Sequence, residues 1–362
     1  MAEDPPLSLP EIRVQIDAID GQLIELLNKR AELAIAVGKI KKEDNKPFFT
    51  PEREREIFEK LSRDNPGPLQ SRQLVGIFRE IISAARAAEK QLTAAYWGPY
   101  GTFTHMAALQ TFGISSNLVP EDSIHDVFMA VQHGHADYGV VPVENSVGGI
   151  VPETLDMFPQ TSVKICAELY LRIHHHLLSK APSLDAVKRV YAGPQPEMQC
   201  RKWLRSHVRE AEIIETVPTS RAAQRALEDP EGAAIANLMT AESLGLQVLA
   251  EHIEDNPHNR TRFLVIGNNE PARTGRDKTS LMFNLRNKPG ELYRALGALD
   301  KEGVNLLLIE SRPVPRSSFE YLFFIDCIGH RKEQPLQNAI EALKACALET
   351  TVLGSYPTTD QN

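Results

Sequence analysis

The sequence has little of what would place a protein in a membrane, outside the cell or on nucleic acid. Its 362 residues include only four cysteines, scattered without a CxxC pair or other metal-ligand spacing, so we expect reduced thiols. No stretch approaches the roughly 20 apolar residues of a membrane helix, and the acidic start of the chain lacks the apolar core of a signal peptide. A net charge of −8 without a basic run argues against nucleic acid or an anionic membrane as the main partner. We therefore expect a cytoplasmic protein.

The pattern of apolar residues changes twice along the chain, which predicts three domains. A chain of this length is too long for a single ordinary core. Residues 8–92 have helical periodicity, whereas short apolar runs then alternate with helical stretches as far as about residue 270. After a polar linker, a compact βαββαβ order is typical of a ferredoxin-like fold. The expected domains are therefore all-α over 1–93, α/β over 94–270 and α+β over 271–362.

Apolar runs also predict individual strands in the second and third domains. In the central domain the expected strands are AAYWG (94–98), DYGVVPV (137–143), VKRVYAG (187–193), GAAIA (232–236) and RFLVIG (262–267). In the C-terminal domain they are 279–286, 304–313, 320–328 and 351–356, with helices over 291–303 and 335–346.

The first helix carries an apolar seam that suits a helical partner. Over Ile12–Ile40 the seam positions recur every three or four residues for about four heptads, and the helix should end near Lys42. Thr50 and Pro51 then predict the N-cap and first residue of a second helix, and a break at residues 65–68 precedes a third. Three helices, of which the first is very long, make a poor monomer core, so we expect an interlocked dimer.

Arg30 occupies a seam position whose neighbours are all apolar. Because an unpaired buried guanidinium is costly, Arg30 either reaches solvent, pairs with a helix glutamate or binds an anion. Lys41 lies eleven residues later, about three helical turns, and therefore projects from nearly the same face, which favours an anion. Arg53 is nearby in sequence. Arg13 lies about 100° around the helix from Arg30, so it would have to join such a site from a partner chain.

The stretch IRVQIDAIDGQLIELLNKRAELAIAVGKIK (12–41), followed by PEREREI (51–57), resembles the all-helical type of chorismate mutase, an intertwined dimer. The resemblance implies that Arg30, with Arg13 of the other subunit, holds the substrate carboxylates and that Lys41 contacts the ether oxygen. It also places further residues in the site, namely Arg53, Glu54 and Glu89. Thr50 and Ala85 differ from the residues common in that family, and we assign them no role.

The implied reaction suits these residue types. The conversion of chorismate to prephenate is a pericyclic rearrangement that needs neither a nucleophile nor a proton transfer. Catalysis must then come from holding a dicarboxylate in a compact conformation and from stabilising charge on the breaking ether oxygen. Arginines for carboxylates and a lysine for the ether oxygen meet both needs.

Three motifs of the central domain place polar groups next to expected strands. WGPYGTFTHMAA (97–108) is a strand, a turn and a helix start whose backbone N–H groups suit a carboxylate. VVPVENSVGGIV (140–151) sets Glu144–Ser146 at the end of a buried strand, a usual ligand position in α/β folds. NRTRFLVIG (259–267) leads polar residues into a buried strand. Each motif alone is an ordinary connection, but their combined order and spacing are specific.

Together the motifs resemble prephenate dehydratase, whose active site lies between two β/α lobes similar to those of periplasmic binding proteins. The resemblance implies that prephenate loses water and carbon dioxide to give phenylpyruvate. Thr261 matches the family's essential threonine and should donate a hydrogen bond to the departing hydroxyl. Glu144 is either a buried proton source or a structural residue. The other expected residues are Asn145 and Ser146 in catalysis and Thr102, Phe103, Asn237, Arg262 and Phe263 in substrate binding.

The run His174-His175-His176 could indicate either a metal site or structural histidines. Consecutive side chains of a strand alternate between its faces, so at most two of the three can share a site. No carboxylate or cysteine lies at ligand spacing. The structural interpretation is favoured, and we expect neither a metal nor a cofactor.

The C-terminal stretch NKPGELYRALGALDKEGVNLLLIESRP (287–313) resembles a phenylalanine-responsive ACT domain through its GELY and ESRP motifs. Pairs of such domains bind phenylalanine at a shared interface. The residues implied are Gly290, Glu291, Leu292, Glu310, Ser311 and Arg312. Glu291 replaces a usual small residue, and a module that only dimerises is the alternative, because a fold does not fix a function.

Two other functions fit parts of the sequence. In the first, a dehydratase uses its helical domain only for dimerisation, but the set Arg13, Arg30, Lys41 and Arg53 argues against it. In the second, the chain is a non-catalytic sensor, which would need a DNA-binding or membrane output that the sequence lacks. The favoured interpretation is a bifunctional enzyme with chorismate and prephenate as substrates and L-phenylalanine as effector, assembled as a homodimer or tetramer. Prephenate cannot be told from its amino analogue arogenate by these residues.

Overall fold

A computed structural model of the chain describes residues 7–44, 46–313 and 321–359. Two of the expectations fall partly outside the described residues. The absence of a signal peptide concerns residues 1–6, and one expected strand begins at Glu320. No helix in the described ranges is both long and apolar enough to cross a membrane. The described chain forms two compact units: one comprises the helical N-terminal part with Phe112–Asn117, and the other the rest.

The first unit contains three helices that are separated at the predicted breaks, although the third ends at Glu89, before the expected Leu92. Helix α1 spans Leu9–Glu43, α2 Pro51–Asp64 and α3 Ser71–Glu89. Ser8 and Glu11 form a capping box at the start of α1, which satisfies N–H groups that have no partner within the helix. The all-α fold expected for this part of the chain is confirmed.

The apolar seam of α1 stays exposed when the chain is considered alone. Its apolar members are between 40% and 69% exposed, from Ile12 to Leu33. Only Gly38 is buried in this helix. A Cβ at Gly38 would lie 2.9 Å from the Cβ of Glu89, so glycine allows α1 and α3 to approach closely there.

The second unit begins with a lobe built on a mixed sheet. Its elements are β1 (Thr93–Trp97), α4 (Phe103–Phe112), β2 (Asn117–Glu121), α5 (Ile124–Gln132), β3 (Tyr138–Asn145), β4 (Gly149–Ile150), α6 (Pro152–Met157), β5 (Lys164–Arg172) and the later strand β11 (Arg260–Gly267). The strand order is β2-β1-β3-β11-β5, with β4 beside β3. β11 is antiparallel to both β3 and β5, so the motifs at 140–151 and 259–267 become direct neighbours.

A second lobe is inserted between β5 and β11. It contains β6 (His176–Ser179), β7 (Arg189–Ala192), α7 (Pro194–His207), β8 (Glu212–Glu215), α8 (Thr219–Glu228), β9 (Gly232–Ala236), α9 (Leu238–Leu244) and β10 (Gln247–Ala250). The sheet order is β10-β6-β9-β7-β8. The five strands expected in the central domain are present, and the two-lobed α/β fold is confirmed.

The C-terminal module has the expected βαββαβ order. Its elements are β12 (Asp277–Leu285), α10 (Glu291–Lys301), β13 (Leu306–Pro313), β14 (Tyr321–Ile328), α11 (Gln334–Cys346) and β15 (Glu349–Pro357), with sheet order β13-β14-β12-β15. Leu281, Phe283 and Ile325 pack against the helices on one face of the sheet. Met282, Phe324 and Tyr356 join the core of the first lobe on the other. One catalytic lobe and the module therefore share a hydrophobic core.

Candidate active sites

In the helical unit, Lys41 and Glu89 meet between α1 and α3. The Lys41 Nζ atom lies 3.2 Å from Glu89 Oε2 and also donates to the carbonyl oxygen of Phe48 at 3.2 Å. Both side chains are largely buried, at 17% and 11% exposure. Two residues that are 48 positions apart, and that the sequence assigned to one site, thus form one ion pair.

A second buried ion pair joins α2 to α3. Glu54 accepts a hydrogen bond from Arg86, whose guanidinium also donates to the carbonyl oxygen of Phe112 at 2.7 Å. The same guanidinium lies over the rings of Phe49 and Phe112. Burial raises the pKa of Glu54, although the nearby cations Arg86 and Lys41 oppose that shift. Glu54 is therefore held inside the unit by Arg86.

The three other predicted cations are not assembled within one chain. Arg13 is exposed and Arg30 is half-buried. Arg13 and Lys41 lie 28 residues apart on one helix, about 42 Å at 1.5 Å per residue, so they cannot share a small ligand within a chain. Arg53 pairs with Glu56 at 2.7 Å on the exposed side of α2, apart from the buried ion pairs.

The second unit contains a cleft of about 420 Å³ between its two lobes. Residues from three helix starts line it: 102–104 at α4, 193–196 at α7 and 217–219 at α8. The predicted residues that line it are Thr102, Phe103, Asn145, Thr261 and Phe263. Among the described lining residues, His175 is the one titratable side chain.

Asn145 fixes the hydrogen-bonding role of Thr261. The Asn145 Oδ1 atom accepts from the N–H groups of Val147 and Gly148, at 3.0 and 2.8 Å, which assigns the amide orientation. Its Nδ2 atom therefore faces Thr261 Oγ1, at 2.8 Å, and can only donate to it. Because the Thr261 oxygen accepts this bond, the hydroxyl proton of Thr261 remains available to a group in the cleft.

Two of the residues expected in the cleft lie on the opposite face of the sheet. Arg262 is 4% exposed; its guanidinium donates to Glu168 at 2.8 Å, Asp326 at 2.6 Å and the Tyr356 hydroxyl at 3.1 Å. Successive strand residues alternate between faces, so Thr261 and Phe263 face the cleft and Arg262 faces the C-terminal module. Glu144 pairs in register with Arg262 and is not among the lining residues. Neither Arg262 nor Glu144 is among the residues that line the cleft, so the structure gives no support to a substrate contact by Arg262 or to proton donation by Glu144.

Asn237 and Ser146 form hydrogen bonds within the protein and are not among the residues that line the cleft. Asn237 is the N-cap of α9, where its Oδ1 atom accepts from Thr240 N, and its Nδ2 atom donates to the Gly101 carbonyl at 2.6 Å. It therefore ties the second lobe to the first and does not line the cleft. Ser146 bonds Arg260 through its own N–H and Oγ, at 2.9 and 3.0 Å, which closes the end of the β3–β11 pair. Neither expected ligand contact is supported.

His175 is a cleft residue to which the sequence assigned no role. It is 2% exposed, its Nε2 atom lies 2.8 Å from Gln199 Oε1, and Phe103 contacts its ring edge-on. Because a carbonyl oxygen only accepts, Nε2 carries the proton and Nδ1 carries a lone pair. Burial lowers the pKa of His175, although the hydrogen bond with Gln199 opposes that shift. The imidazole is therefore neutral at neutral pH.

The C-terminal module has a small cavity at the start of α10. It measures about 120 Å³ and includes Glu291 and Leu292 with Arg286 and Lys288. Gly290 has a positive φ of 84°, a conformation that favours glycine. Ser311 pairs in register with Phe323, another lining residue.

Glu310 and Arg312 do not belong to this cavity. They alternate with Ser311 along β13 and so occupy the other face of the sheet. The Nε and Nη2 atoms of Arg312 donate to the carboxylate of Asp156 in the first lobe, at 3.0 and 2.7 Å. The expectation that Arg312 contacts phenylalanine is therefore not supported within one chain.

Comparisons with known proteins match each part of the chain. The chorismate mutase type II family model matches residues 12–90, the prephenate dehydratase model 94–271 and the ACT domain model 279–345. A bifunctional chorismate mutase/prephenate dehydratase of Aquifex aeolicus is 45% identical over 96% of this chain and 98% of its own length. This chain belongs to the bifunctional chorismate mutase/prephenate dehydratase family. A Pseudomonas aeruginosa member is 42% identical over 96% of this chain and 97% of its own.

Solved structures match the second unit of this chorismate mutase/prephenate dehydratase. The prephenate dehydratase of Arthrobacter aurescens, in complex with L-Phe, is 35% identical with a TM-score of 0.69 and covers 75% of this chain and 91% of its own. The prephenate dehydratase of Staphylococcus aureus is 28% identical with a TM-score of 0.62, over 73% of this chain and 100% of its own.

Sequence reasoning missed Arg86, which holds Glu54, and the hydrogen-bonded pair His175–Gln199, which lines the cleft. Arg86 had a usable signal, because it follows Phe78 and Ile82 by four-residue steps on a buried helix face, as Arg30 follows apolar seam residues. No signal in the sequence indicated the partner of His175, because Gln199 lies 24 residues away on α7.

Proposed function

We propose that the two activities of this enzyme, chorismate to prephenate and prephenate to phenylpyruvate, are carried out by separate residue sets. Lys41, Glu89 and the arginines of α1 serve the first, and Thr261 with Asn145 serves the second. The observation that carries the proposal is the bond from Asn145 to Thr261, which leaves a directed hydroxyl proton in a cleft without charged side chains among its described lining residues.

The mutase site is complete only when two chains combine. Arg13 of one chain would supply a carboxylate contact to Lys41 and Arg30 of its partner, because Arg13 is too far from Lys41 in its own chain. The exposed apolar seam of α1 supports this pairing, since a contiguous apolar surface of that length is uncommon on a monomer. We infer a homodimer, with the edge strand β13 available for a further pairing to a tetramer.

Lys41 is placed to stabilise the transition state of the rearrangement. As the ether C–O bond breaks and the new C–C bond forms, negative charge builds on the ether oxygen. The Lys41 ammonium would donate to that oxygen, and Glu89 would hold the ammonium in position by the 3.2 Å contact. The arginines hold the two carboxylates, so the enzyme supplies orientation and charge but no proton.

Three helix N-termini would bind the carboxylates of prephenate in the dehydratase cleft. The starts of α4, α7 and α8 all line the cleft, and the unpaired N–H groups of a helix start, with the helix dipole, attract anions. Because Pro194 and Pro196 have no N–H, α7 contributes its dipole and the N–H of Gln195. A dianion can then bind without arginine or lysine. A cleft lined by Trp97, Phe103 and Phe263 also suits a six-membered ring that becomes aromatic.

Thr261 would stabilise the departing hydroxyl. In the reaction the ring C–O bond breaks with its electron pair going to oxygen, while the electrons of the bond to the carboxylate complete the aromatic ring and carbon dioxide leaves. The Thr261 hydroxyl donates to the leaving oxygen, which takes its second proton from water. His175 is held neutral and therefore does not act as an acid.

Phenylalanine would inhibit the dehydratase through the C-terminal module, as a relative's structure in complex with L-Phe supports. The cavity beside Gly290, Glu291 and Leu292 would form part of the effector site. Arg262, adjacent to Thr261 on β11, is bound to Asp326 of the module, so a shift of β14 would reach the catalytic strand directly. The four cysteines, none of which forms a disulfide, suit action in the cytoplasm.

Two substitutions test the separation of sites. With chorismate as substrate, Thr261→Val should accumulate prephenate and lower dehydratase kcat by at least about 100-fold, the effect of removing one directed donor. Arg30→Ala should abolish mutase activity while added prephenate is still converted. Thr111→Val, on α4 but outside the cleft lining, is the matched control and should keep both rates. If either test variant, shown to be folded, loses both reactions, the two-site assignment is wrong.

A further inference from the structure

Two histidines and a glutamate converge beside the second lobe, and none of the three is among the residues that line the dehydratase cleft, although His174 lies between the lining residues Ile173 and His175. His174 precedes β6, whereas His252 and Glu254 follow β10. His174 Nδ1 lies 2.7 Å from Glu254 Oε1 and 3.0 Å from His252 Nδ1, and His252 Nδ1 lies 3.7 Å from the same Glu254 oxygen. One atom from each residue therefore forms a small triangle.

The size of this triangle matches the coordination sphere of a divalent ion. Zinc binds imidazole nitrogen and carboxylate oxygen at about 2.0–2.2 Å, which sets tetrahedral ligand atoms about 3.3 Å apart. The three measured sides, 2.7, 3.0 and 3.7 Å, lie around that value. A circle through the three atoms has a radius of about 1.9 Å, so an ion slightly above their plane would reach all three at bonding distance.

The surroundings of the three residues resemble the outer shell of a metal site. The Glu254 side chain is 2% exposed, and its second oxygen accepts from the backbone N–H of His175 at 2.9 Å. Although burial opposes ionisation, the hydrogen bonds from His174 and His175 lower the pKa of Glu254.

Two further observations distinguish this cluster from ordinary surface histidines. His252 has a φ of 53°, and it is the one non-glycine residue with positive φ in the described ranges. That conformation is costly and is retained mainly where a side chain must take a particular position. His176, 2% exposed with Nδ1 lacking a partner among the described residues, has its ring centroid 5.2 Å from that of His252.

We propose that His174, His252 and Glu254 form a binding site for a divalent transition metal, with zinc as the preferred ion and water at the open position. Two nitrogens and one oxygen are the ligand set that zinc accepts readily. The histidine run could not indicate this site, because two of the three ligands come from residues 78 and 80 positions away from His174. Because Glu254 also holds the backbone of His175, the ion would stabilise one wall of the dehydratase cleft.

The test is metal binding by the full-length protein after treatment with a chelator. Calorimetry with Zn²⁺ should give one site per chain, and Co²⁺ should give the visible absorption of a tetrahedral complex. His174→Ala and His252→Ala should each weaken Zn²⁺ binding by at least about 100-fold, more than the loss of an outer-shell partner. Zn²⁺ should raise the Tm of the unsubstituted protein but not that of His252→Ala.

His135→Ala is the matched control, because His133 and His135 form an exposed pair with ring centroids 5.9 Å apart in the first lobe. This variant should bind Zn²⁺ like the unsubstituted protein. The dehydratase activity of the His252→Ala variant on added prephenate serves as the control that this variant is folded. Absence of stoichiometric binding, or binding that survives both His174→Ala and His252→Ala, would overturn the proposal, as would an equal loss in His135→Ala.

Discussion

The helical unit and the two-lobed cleft both receive a substrate with two carboxylates, yet they present different groups to it. Of the residues predicted for the site in the helical unit, one chain brings Lys41 and Glu89 into contact and leaves Arg13 exposed. The cleft offers helix N-termini, hydroxyls and amides, and one chain holds all of its lining. The pericyclic rearrangement needs positive charge beside the ether oxygen and no proton transfer, whereas hydroxide departure needs a hydroxyl donor at the leaving oxygen, which also takes up a proton. The difference in chemistry thus accounts for the difference in composition.

The largest loss of stability should come from disturbing Arg262, the arginine that the sequence assigned to the cleft. Asp326→Asn removes one buried partner of Arg262 and should destabilise the protein by about 3 kcal/mol, the low end for breaking a buried ion pair because Glu168 remains. It should also weaken inhibition by phenylalanine. Chemical denaturation and inhibition assays measure both effects. Asp156→Asn, which breaks the more exposed pair with Arg312, should cost under about 1 kcal/mol. Equal losses in the two variants would contradict the assignment of Arg262.

Arg262 shows what the sequence could and could not predict. Periodicity located the helices and strands, because α1 and β11 follow simple apolar repeats. It did not settle which face of β11 each residue occupies, because the strand is buried on both faces and has no polar alternation. One face is directed to the cleft and the other to the C-terminal module. Only the motif resemblance distinguished Thr261 from its neighbours, and Thr261 is among the residues that line the cleft. Contacts such as Asn237 with Gly101, or His174 with Glu254, join distant segments and leave no local pattern.

An effect of intermediate size is expected from salt, which should raise the KM for one substrate more than the KM for the other. Ion pairs with arginine and lysine are screened at high ionic strength, so the KM for chorismate should rise several-fold between about 0.05 and 0.5 M salt. The KM for prephenate should rise less, because helix N-termini carry only partial charges, whereas lysine and arginine carry full ones. Steady-state kinetics with each substrate separately, in a non-binding salt, measures the two slopes. A steeper dependence for prephenate would reverse the proposed comparison.

The smallest expected effect concerns His175. Since burial lowers its pKa in the folded state, the unfolded chain binds this proton more readily below about pH 6.5. Its contribution to stability is therefore fully present above that pH and is lost as the pH falls. His175→Gln should flatten the acid limb of the stability profile, whereas the exposed His133→Gln should not. An acid limb of the same slope in His175→Gln would exclude a buried neutral imidazole.

The most direct test of the comparison is subunit complementation of the mutase. Arg13→Ala and Lys41→Ala should each be nearly inactive on chorismate, but a co-refolded equimolar mixture should recover about a quarter of the unsubstituted rate. Half of the dimers would then be mixed, with one of two sites intact. In the same mixture, dehydratase activity on added prephenate should stay unchanged. Mutase activity no greater than the sum of the two separate variants would contradict a site shared between chains.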